Sequence, residues 1–265
     1  MKQKLRIGAL ISGGGTNLQA ILDACESGGI QGRMVFVGSD NPDAFGLKRA
    51  EKAGIPTFVV NYRSIIQANR GNPLAMPLPS DFNLEDCLIK QNLFPAGTPP
   101  YRIVRFLITR AIAEAELLRH MSENPFDLLV LAGFMRNLTP YFIDRVNLSP
   151  EHPRIMNIHP ALLPAFPGTD GYGDTMRHGC RVGGCTVHFV DYGEDSGPII
   201  GQRCFPIYPD DTLDSIKNKG LEQEWLLYPE CIQLFAENRL QLVRKTHTLD
   251  NGREVTRTSV RIRNG

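Results

Sequence analysis

Lys4-Leu-Arg-Ile-Gly-Ala-Leu-Ile11, then Ser12-Gly-Gly-Gly-Thr-Asn17, then Leu18 to Cys25, is the stretch whose reading decides the fold. Lys4 to Ile11 is a short apolar run and reads as the buried first strand of a parallel sheet. Leu18, Ile21, Leu22 and Cys25 follow at helical spacing. Strand, glycine turn and helix in that order aim free backbone N–H groups and a helix N-terminus at an anion. The glycines allow close approach of a phosphate, and Thr16 and Asn17 add side-chain donors. This is neither the dinucleotide fingerprint nor a P-loop, which needs a Lys after the last glycine. Its short length suits a single phosphate monoester; the plainer reading is a tight turn without a ligand.

Working outward, the same rhythm repeats. Met34 to Ser39 reads as a second strand, Ala44 to Ala53 as a helix, and Thr57 to Val60 as a third strand after Gly54-Ile55-Pro56. Ile103 to Leu118 has helical spacing, and Asp127 to Ala132 is a strand apolar on both faces, hence central. It runs into Gly133-Phe134-Met135-Arg136-Asn137-Leu138 and a helix capped by Thr139 with Pro140 at its first position. Strands alternating with helices predict right-handed βαβ units and a parallel sheet. Gly183 to Val190 and Pro198 to Pro206 read as antiparallel additions to that sheet. Asp210 to Asn238 reads as helix in two parts with a bend near Pro229.

Two segments stand outside the rhythm. Ser64 to Pro100 holds Pro73, Pro77, Pro79, Pro95, Pro99 and Pro100 with little periodicity, and is read as a functional cover or a poorly ordered insert. Arg239 to Gly265 reads as two strands joined at Asp250-Asn251-Gly252, a type I′ turn signal. Its arginines, without interleaved aromatics, suggest a solvated edge hairpin rather than a nucleic-acid arm. The chain is thus read as one domain, 1–243, interrupted by the insert 64–100 and extended by the hairpin 244–265.

Candidate chemistry centres on Arg154 to Gly168. Arg154 to Ile158 reads as the end of a strand, after which Pro160, Pro164 and Pro167 forbid a regular element. Asn157 and His159, two apart on extended backbone, share a face and could polarise a carbonyl together. They could equally be a buried pair satisfied by backbone. In open α/β sheets ligands gather at strand carboxyl ends. The Gly13, Phe134 and Asn157 loops should therefore converge on one crevice. Asp195, in a glycine-flanked loop, matters only if that loop folds back on His159.

Composition narrows the classes. At 265 residues with net charge +1, 42% hydrophobic and 22% charged, the chain is sized and balanced like a globular enzyme, with no global field for nucleic acid or membrane. No apolar run is long enough to span a bilayer, and Met1 to Arg6 passes straight into a strand, so a cytoplasmic protein is expected. Six scattered cysteines read as free thiols; Cys180 and Cys185 lack the partners of a zinc site, and no metal is expected.

With these residues on the page, the chain resembles the glycinamide ribonucleotide formyltransferase family. The resemblance is carried by Ser12-Gly-Gly-Gly-Thr-Asn17, Leu131-Ala-Gly-Phe-Met-Arg136, Asn157-Ile-His-Pro-Ala-Leu-Leu-Pro164, Thr186-Val-His-Phe-Val190 and Asp195-Ser-Gly-Pro198, in order and at similar spacing. It runs from about residue 4 to about residue 243, the insert excepted. It implies an α/β, Rossmann-like three-layer fold with a mostly parallel central sheet and antiparallel strands in the C-terminal half. It implies a formyl transferase of purine biosynthesis that uses 10-formyltetrahydrofolate as co-substrate. Small-molecule partners only are expected, with the chain a monomer or homodimer, a choice the sequence leaves open. By the same resemblance Asn157, His159 and Asp195 are catalytic, and Gly15, Thr16 and Asn17 hold the ribonucleotide phosphate. Glu224 contacts the ribose. Met135, Arg136, Asn137, Leu138, Asn157 and Val190 line the folate site, with the Asp191 to Asp195 loop beside the pterin. A folate-binding arginine corresponds to Arg105 or Arg110. The chain departs from the family at Gly14, Asn137 and Trp225.

Chemically, an ionised Asp195 would raise the His159 pKa toward imidazolium, which with Asn157 could hold the developing oxyanion. The same three residues could serve a formyltetrahydrofolate deformylase, with water as acceptor, or a formyltransferase acting on another phosphorylated or sugar-nucleotide amine. A deformylase normally carries an extra N-terminal domain, and the phosphate cradle argues for a phosphorylated acceptor.

Overall fold

A computed structural model describes residues 4–68, 77–147 and 149–264. Met1 to Gln3, the Pro73 part of the insert (69–76), Leu148 and Gly265 lie outside the described residues. The seven strands of the main sheet are β1 (Leu5–Ile11), β2 (Gly32–Ser39), β3 (Thr57–Val59), β4 (Leu128–Leu131), β5 (Ile155–His159), β6 (Val182–Phe189) and β7 (Ile199–Pro206). Their order is β3-β2-β1-β4-β5-β6-β7, parallel through β5 and antiparallel for the last two pairings. The mostly parallel sheet with antiparallel strands toward the C-terminus is as the sequence predicts.

Alternation along the strands builds the layers. Ile7, Ala9 and Ile11 of β1 and Leu128 and Val130 of β4 face one side. There they meet α1 (Thr16–Ser27), α2 (Phe45–Lys52) and α8 (Leu213–Ala236) through Leu18, Ile21, Leu47, Leu227 and Ile232. Leu10, Leu129 and Leu131 face the other side. They meet α3 (Tyr62–Ala68), α5 (Pro100–Ser122) and α6 (Pro140–Val146) through Tyr62, Leu117, Met121, Phe142 and Ile143. A strand buried on both faces must be apolar at every position, which is why β4 reads as an unbroken run.

Four local expectations are corrected. The insert is not structureless: α3 begins it, and α4 (Leu84–Lys90) lies within it, N-capped by Asn83, whose Oδ1 accepts the Asp86 N–H at 3.0 Å. A seven-residue helix burying one residue, Cys87, has too few turns to leave a period. α8 runs unbroken through Pro229, which forgoes a single N–H bond while the Tyr228 hydroxyl pins the helix to the Met156 carbonyl at 2.8 Å. The C-terminal strands, β8 (Leu240–Thr248) and β9 (Glu254–Ile262), form their own two-stranded sheet, with Leu240, Leu242 and Val260 packed on the core. Their turn is not type I′: Gly252 alone has positive φ (+79°), and Leu249 pairs with Arg253 around a wider loop.

The fourth correction is Thr139. Its side chain does not cap α6. Buried Glu114 on α5 does so instead, accepting the Thr139 N–H at 2.8 Å and the Thr139 hydroxyl. Burial pushes the Glu114 carboxyl up to about 7, against the hydrogen bonds from Thr139. The native state thus holds a proton that the unfolded chain releases near pH 4.5, so this residue's contribution falls as pH rises through 7. Glu114→Leu is expected to cost about 2 kcal/mol in urea unfolding at pH 6, by orphaning two buried donors, and less at pH 8.

Candidate active site

The carboxyl ends of β1 and β4 are stitched together: the Ser12 N–H donates to the Gly133 carbonyl at 3.0 Å, and the Met135 N–H donates to Ser12 Oγ at 2.8 Å. Above them opens a cleft of about 340 Å³. Asn157, His159, Asp195, Asn17, Glu224, Met135, Arg136, Asn137, Leu138 and Val190 all line it, so ten of the residues singled out from sequence meet there. Gly15 and Thr16 do not; they lie at its side, with Thr16 opening onto a separate surface hollow beside Trp225 and Arg49.

The loop carrying Asp195 does fold back. Asp195 Oδ2 lies 3.1 Å from His159 Nδ1 and accepts the Gly168 N–H at 2.8 Å. Asp195 Oδ1 lies 3.4 Å from Asn157 Nδ2 and 3.6 Å from His188 Nε2. Burial alone would raise the Asp195 carboxyl, but His159, His188 and the Gly168 N–H together hold it well below the usual carboxylate range. Burial likewise works to lower His159, and is outweighed by the bond to Asp195, its charge, the Phe166 carbonyl and Glu224, so that the net shift is upward. Asp195 has φ +49°, a left-handed conformation that a non-glycine residue adopts at a cost of about 1 kcal/mol or more.

His159 differs in one respect from the sequence reading. Its Nε2 lies 2.7 Å from the Phe166 carbonyl, so both ring nitrogens face oxygen acceptors. Only the imidazolium can donate at both. The ring is 2% exposed, and its charge rather than a spare N–H is what it presents to the cleft. Asn157 is different: its Nδ2 contacts, 3.2 Å to His188 Nε2 and 3.4 Å to Asp195, are long. Such weakly held donors can turn to a bound carbonyl.

His188 was not singled out from sequence. Its signal is the β6 register: Asn157 pairs with His188 and His159 with Thr186. Thr186 braces the turn after β5, with its Oγ1 donating to the Ala161 carbonyl at 2.7 Å and accepting the Leu163 N–H at 3.0 Å.

At the other end of the cleft, the glycine turn is set by Gly15, whose φ is +69° and whose missing Cβ would lie 2.7 Å from the Gly46 Cα. No side chain caps α1, which leaves its first-turn N–H groups to be satisfied by water or a ligand. Asn17 departs from the expected side-chain role: one turn of helix carries it inward, and its Nδ2 donates to Glu224 Oε2 at 2.6 Å. Tyr172, on α7 (Gly171–Arg177), donates its O–H to Glu224 Oε1 at 2.5 Å. Burial pushes the Glu224 carboxyl up, against those two bonds.

Along the remaining wall, Asn137 Nδ2 donates to Glu194 Oε1 at 3.1 Å across the cleft, and Arg136 Nε is committed to buried Asp40 at 2.5 Å. Arg110 lines the cleft and Arg105 is not among its lining residues. The Arg110 guanidinium lies over the Tyr62 and Phe106 rings at 5.3 and 4.8 Å, and its buried Nε and Nη1 have no hydrogen-bond partner. Among the described residues no cluster of His, Cys, Asp or Glu is suited to a metal ion, and no helix is long and apolar enough to cross a membrane.

Comparison with known proteins shows the family. A match to the formyl transferase family covers residues 5–232. A phosphoribosylglycinamide formyltransferase of Haemophilus influenzae is 36% identical over 89% of this chain and 90% of its own. One of Escherichia coli K12 is 33% identical over 94% of this chain and 95% of its own. The crystal structure of glycinamide ribonucleotide transformylase 1 from Symbiobacterium toebii aligns with a TM-score of 0.69 at 35% identity, over 100% of this chain and 96% of that one.

Proposed function

The chain belongs to the formyl transferase family, and from that premise we propose that it moves a formyl group from 10-formyltetrahydrofolate to the amine of glycinamide ribonucleotide in purine biosynthesis. The observation that carries this reading is the pair of half-buried Asp195 and buried His159, 3.1 Å apart, with Asn157 beside it on the cleft wall. The folate supplies the formyl group. As the amine attacks the formyl carbon, negative charge grows on the formyl oxygen. Asn157 Nδ2 turns from its long contacts to donate to that oxygen, and the His159 imidazolium stabilises it electrostatically. The bond from formyl carbon to folate nitrogen then breaks. The proton lost by the attacking amine passes to the departing folate nitrogen through water held by Asp195.

Binding follows the same division of the cleft. The uncapped first turn of α1 at Gly15, Thr16 and Asn17 takes the phosphate through main-chain N–H groups and the Thr16 hydroxyl, and Glu224 accepts from the ribose. Met135, Arg136, Asn137, Leu138 and Val190 make the folate wall. The two unpartnered, buried nitrogens of Arg110, Nε and Nη1, suit an anionic or carbonyl group of the folate, which favours Arg110 over Arg105 as the folate arginine. Arg110→Met is expected to raise the KM for folate about 30-fold, equivalent to about 2 kcal/mol, with a much smaller change in kcat, measured in steady state. The reading includes no metal, a cytoplasmic location, and a monomer or homodimer.

The test is to incubate the protein with 10-formyltetrahydrofolate, with and without glycinamide ribonucleotide, and follow loss of the formyl group. Turnover only with the ribonucleotide is expected. Equal turnover without it would identify a hydrolase instead.

A further inference from the structure

The insert is fastened to the loop that carries Asp195. The Asn92 N–H donates to the Tyr192 carbonyl at 2.8 Å, forming a β-bridge between Asn92 and Gly193. The Tyr192 hydroxyl donates to Asp144 Oδ1 of α6 at 2.5 Å, and Lys90, the last residue of α4, holds the other oxygen of Asp144 at 2.8 Å. Lys90 is itself tied to Asp86 at 2.8 Å. One residue beyond Asn92, Leu93 lines the same cleft as His159 and Asn157. The next, Phe94, meets Phe106 of α5 edge-on at 5.2 Å. The loop is therefore gripped on its outer side by the insert and on its inner side by His159, Gly168 and Asn157.

We infer that the insert is a working part of the folate site: Asn92 and the Lys90–Asp144–Tyr192 chain hold the Asp191 to Asp195 loop so that Asp195 stays on His159, and Leu93 supplies an apolar wall against the folate. This rests on the formyl-transfer reading above. Lys90, Asn92 and Tyr192 are positioning residues, acting through Asp195, and Leu93 is a specificity residue. The grip has a reason in the backbone: Asp195 sits in a left-handed conformation, and a strained residue keeps such a conformation only where its surroundings over-determine it.

The charged groups facing the pair are few. Asp195 and Glu224 face His159, and His159, His188 and the Gly168 N–H face Asp195. Loosening the loop weakens the first of these contacts and leaves Glu224 on α8 untouched. The alkaline limb of the kcat profile, where His159 loses its proton, should then move to lower pH.

The experiment compares wild type with Tyr192→Phe, Lys90→Met and Leu93→Ala, using 10-formyltetrahydrofolate and glycinamide ribonucleotide, with Tm recorded for each. Tyr192→Phe and Lys90→Met are expected to lower kcat about 10-fold and move the alkaline limb down by about half a pH unit. Leu93→Ala is expected to raise the KM for folate about 5-fold, more than it changes kcat. A fall in Tm with wild-type limb and KM in all three would overturn the inference and leave the insert a purely structural brace. Wild type without ribonucleotide-dependent turnover would overturn the reading beneath it, and the inference with it.

Discussion

Asp195→Asn is expected to slow formyl transfer about 10³-fold, an effect of roughly 4 kcal/mol on the barrier. The carboxylate is the hub of the site, in contact with His159, Asn157, His188 and the Gly168 N–H. Asparagine keeps the shape and removes the charge that holds His159 as imidazolium. The sign of the pH effect follows. His159 is raised, so its charged form is complete below its ordinary value and is lost as pH rises through the shifted one. Asp195 is depressed, so its contribution is complete above its ordinary value and is lost only in strong acid. The ion pair is therefore whole between about pH 4 and 6.5 and persists above that because His159 is raised. In Asp195→Asn the alkaline limb of kcat should fall to lower pH, and the variant should also lose stability near neutrality, since His159 loses its counter-ion. A wild-type rate in a folded variant would remove Asp195 from the chemistry.

Asn157→Ala is expected to slow the chemical step 10²- to 10³-fold, about 3 kcal/mol for one donor to the developing oxyanion. Single-turnover transfer isolates this step from binding and product release. The KM values should move far less, because the interaction is made in the transition state rather than in the ground state. His159 already donates at both ring nitrogens to protein acceptors, so Asn157 carries a larger share of direct donation than the sequence suggested. An unchanged single-turnover rate would leave the formyl oxygen without its proposed donor.

The contrast between Asn157 and Asp195 shows what could be read along the chain. Asn157 and His159 were legible because two residues apart on a strand share a face, and the prolines after them mark where that strand stops. Asp195 could be named from the residues only conditionally, and its catalytic role came from the resemblance; nothing in Asp191 to Gly197 says which way the loop turns. Arg105 and Arg110 were equivalent in sequence, and became unequal only when α5 rotated one toward Tyr62 and Phe106. The direction of the Asn17 side chain was not legible, because the first turn of α1 turns it to Glu224 of α8, a partner 207 residues away.

By itself the sequence determined the strand and helix alternation, the parallel order with its antiparallel finish, and the places where strands end in polar loops. Those follow from local physics: apolar periodicity, glycine and proline in the backbone, and the need to bury both faces of a central strand. Tertiary structure alone decided that Glu114 caps α6, that His159 has no free N–H, that Arg110 faces the cleft, and that the insert grips the Asp195 loop. Each of these is a contact between segments far apart in the chain, made because a buried polar group must find a partner wherever packing brings one.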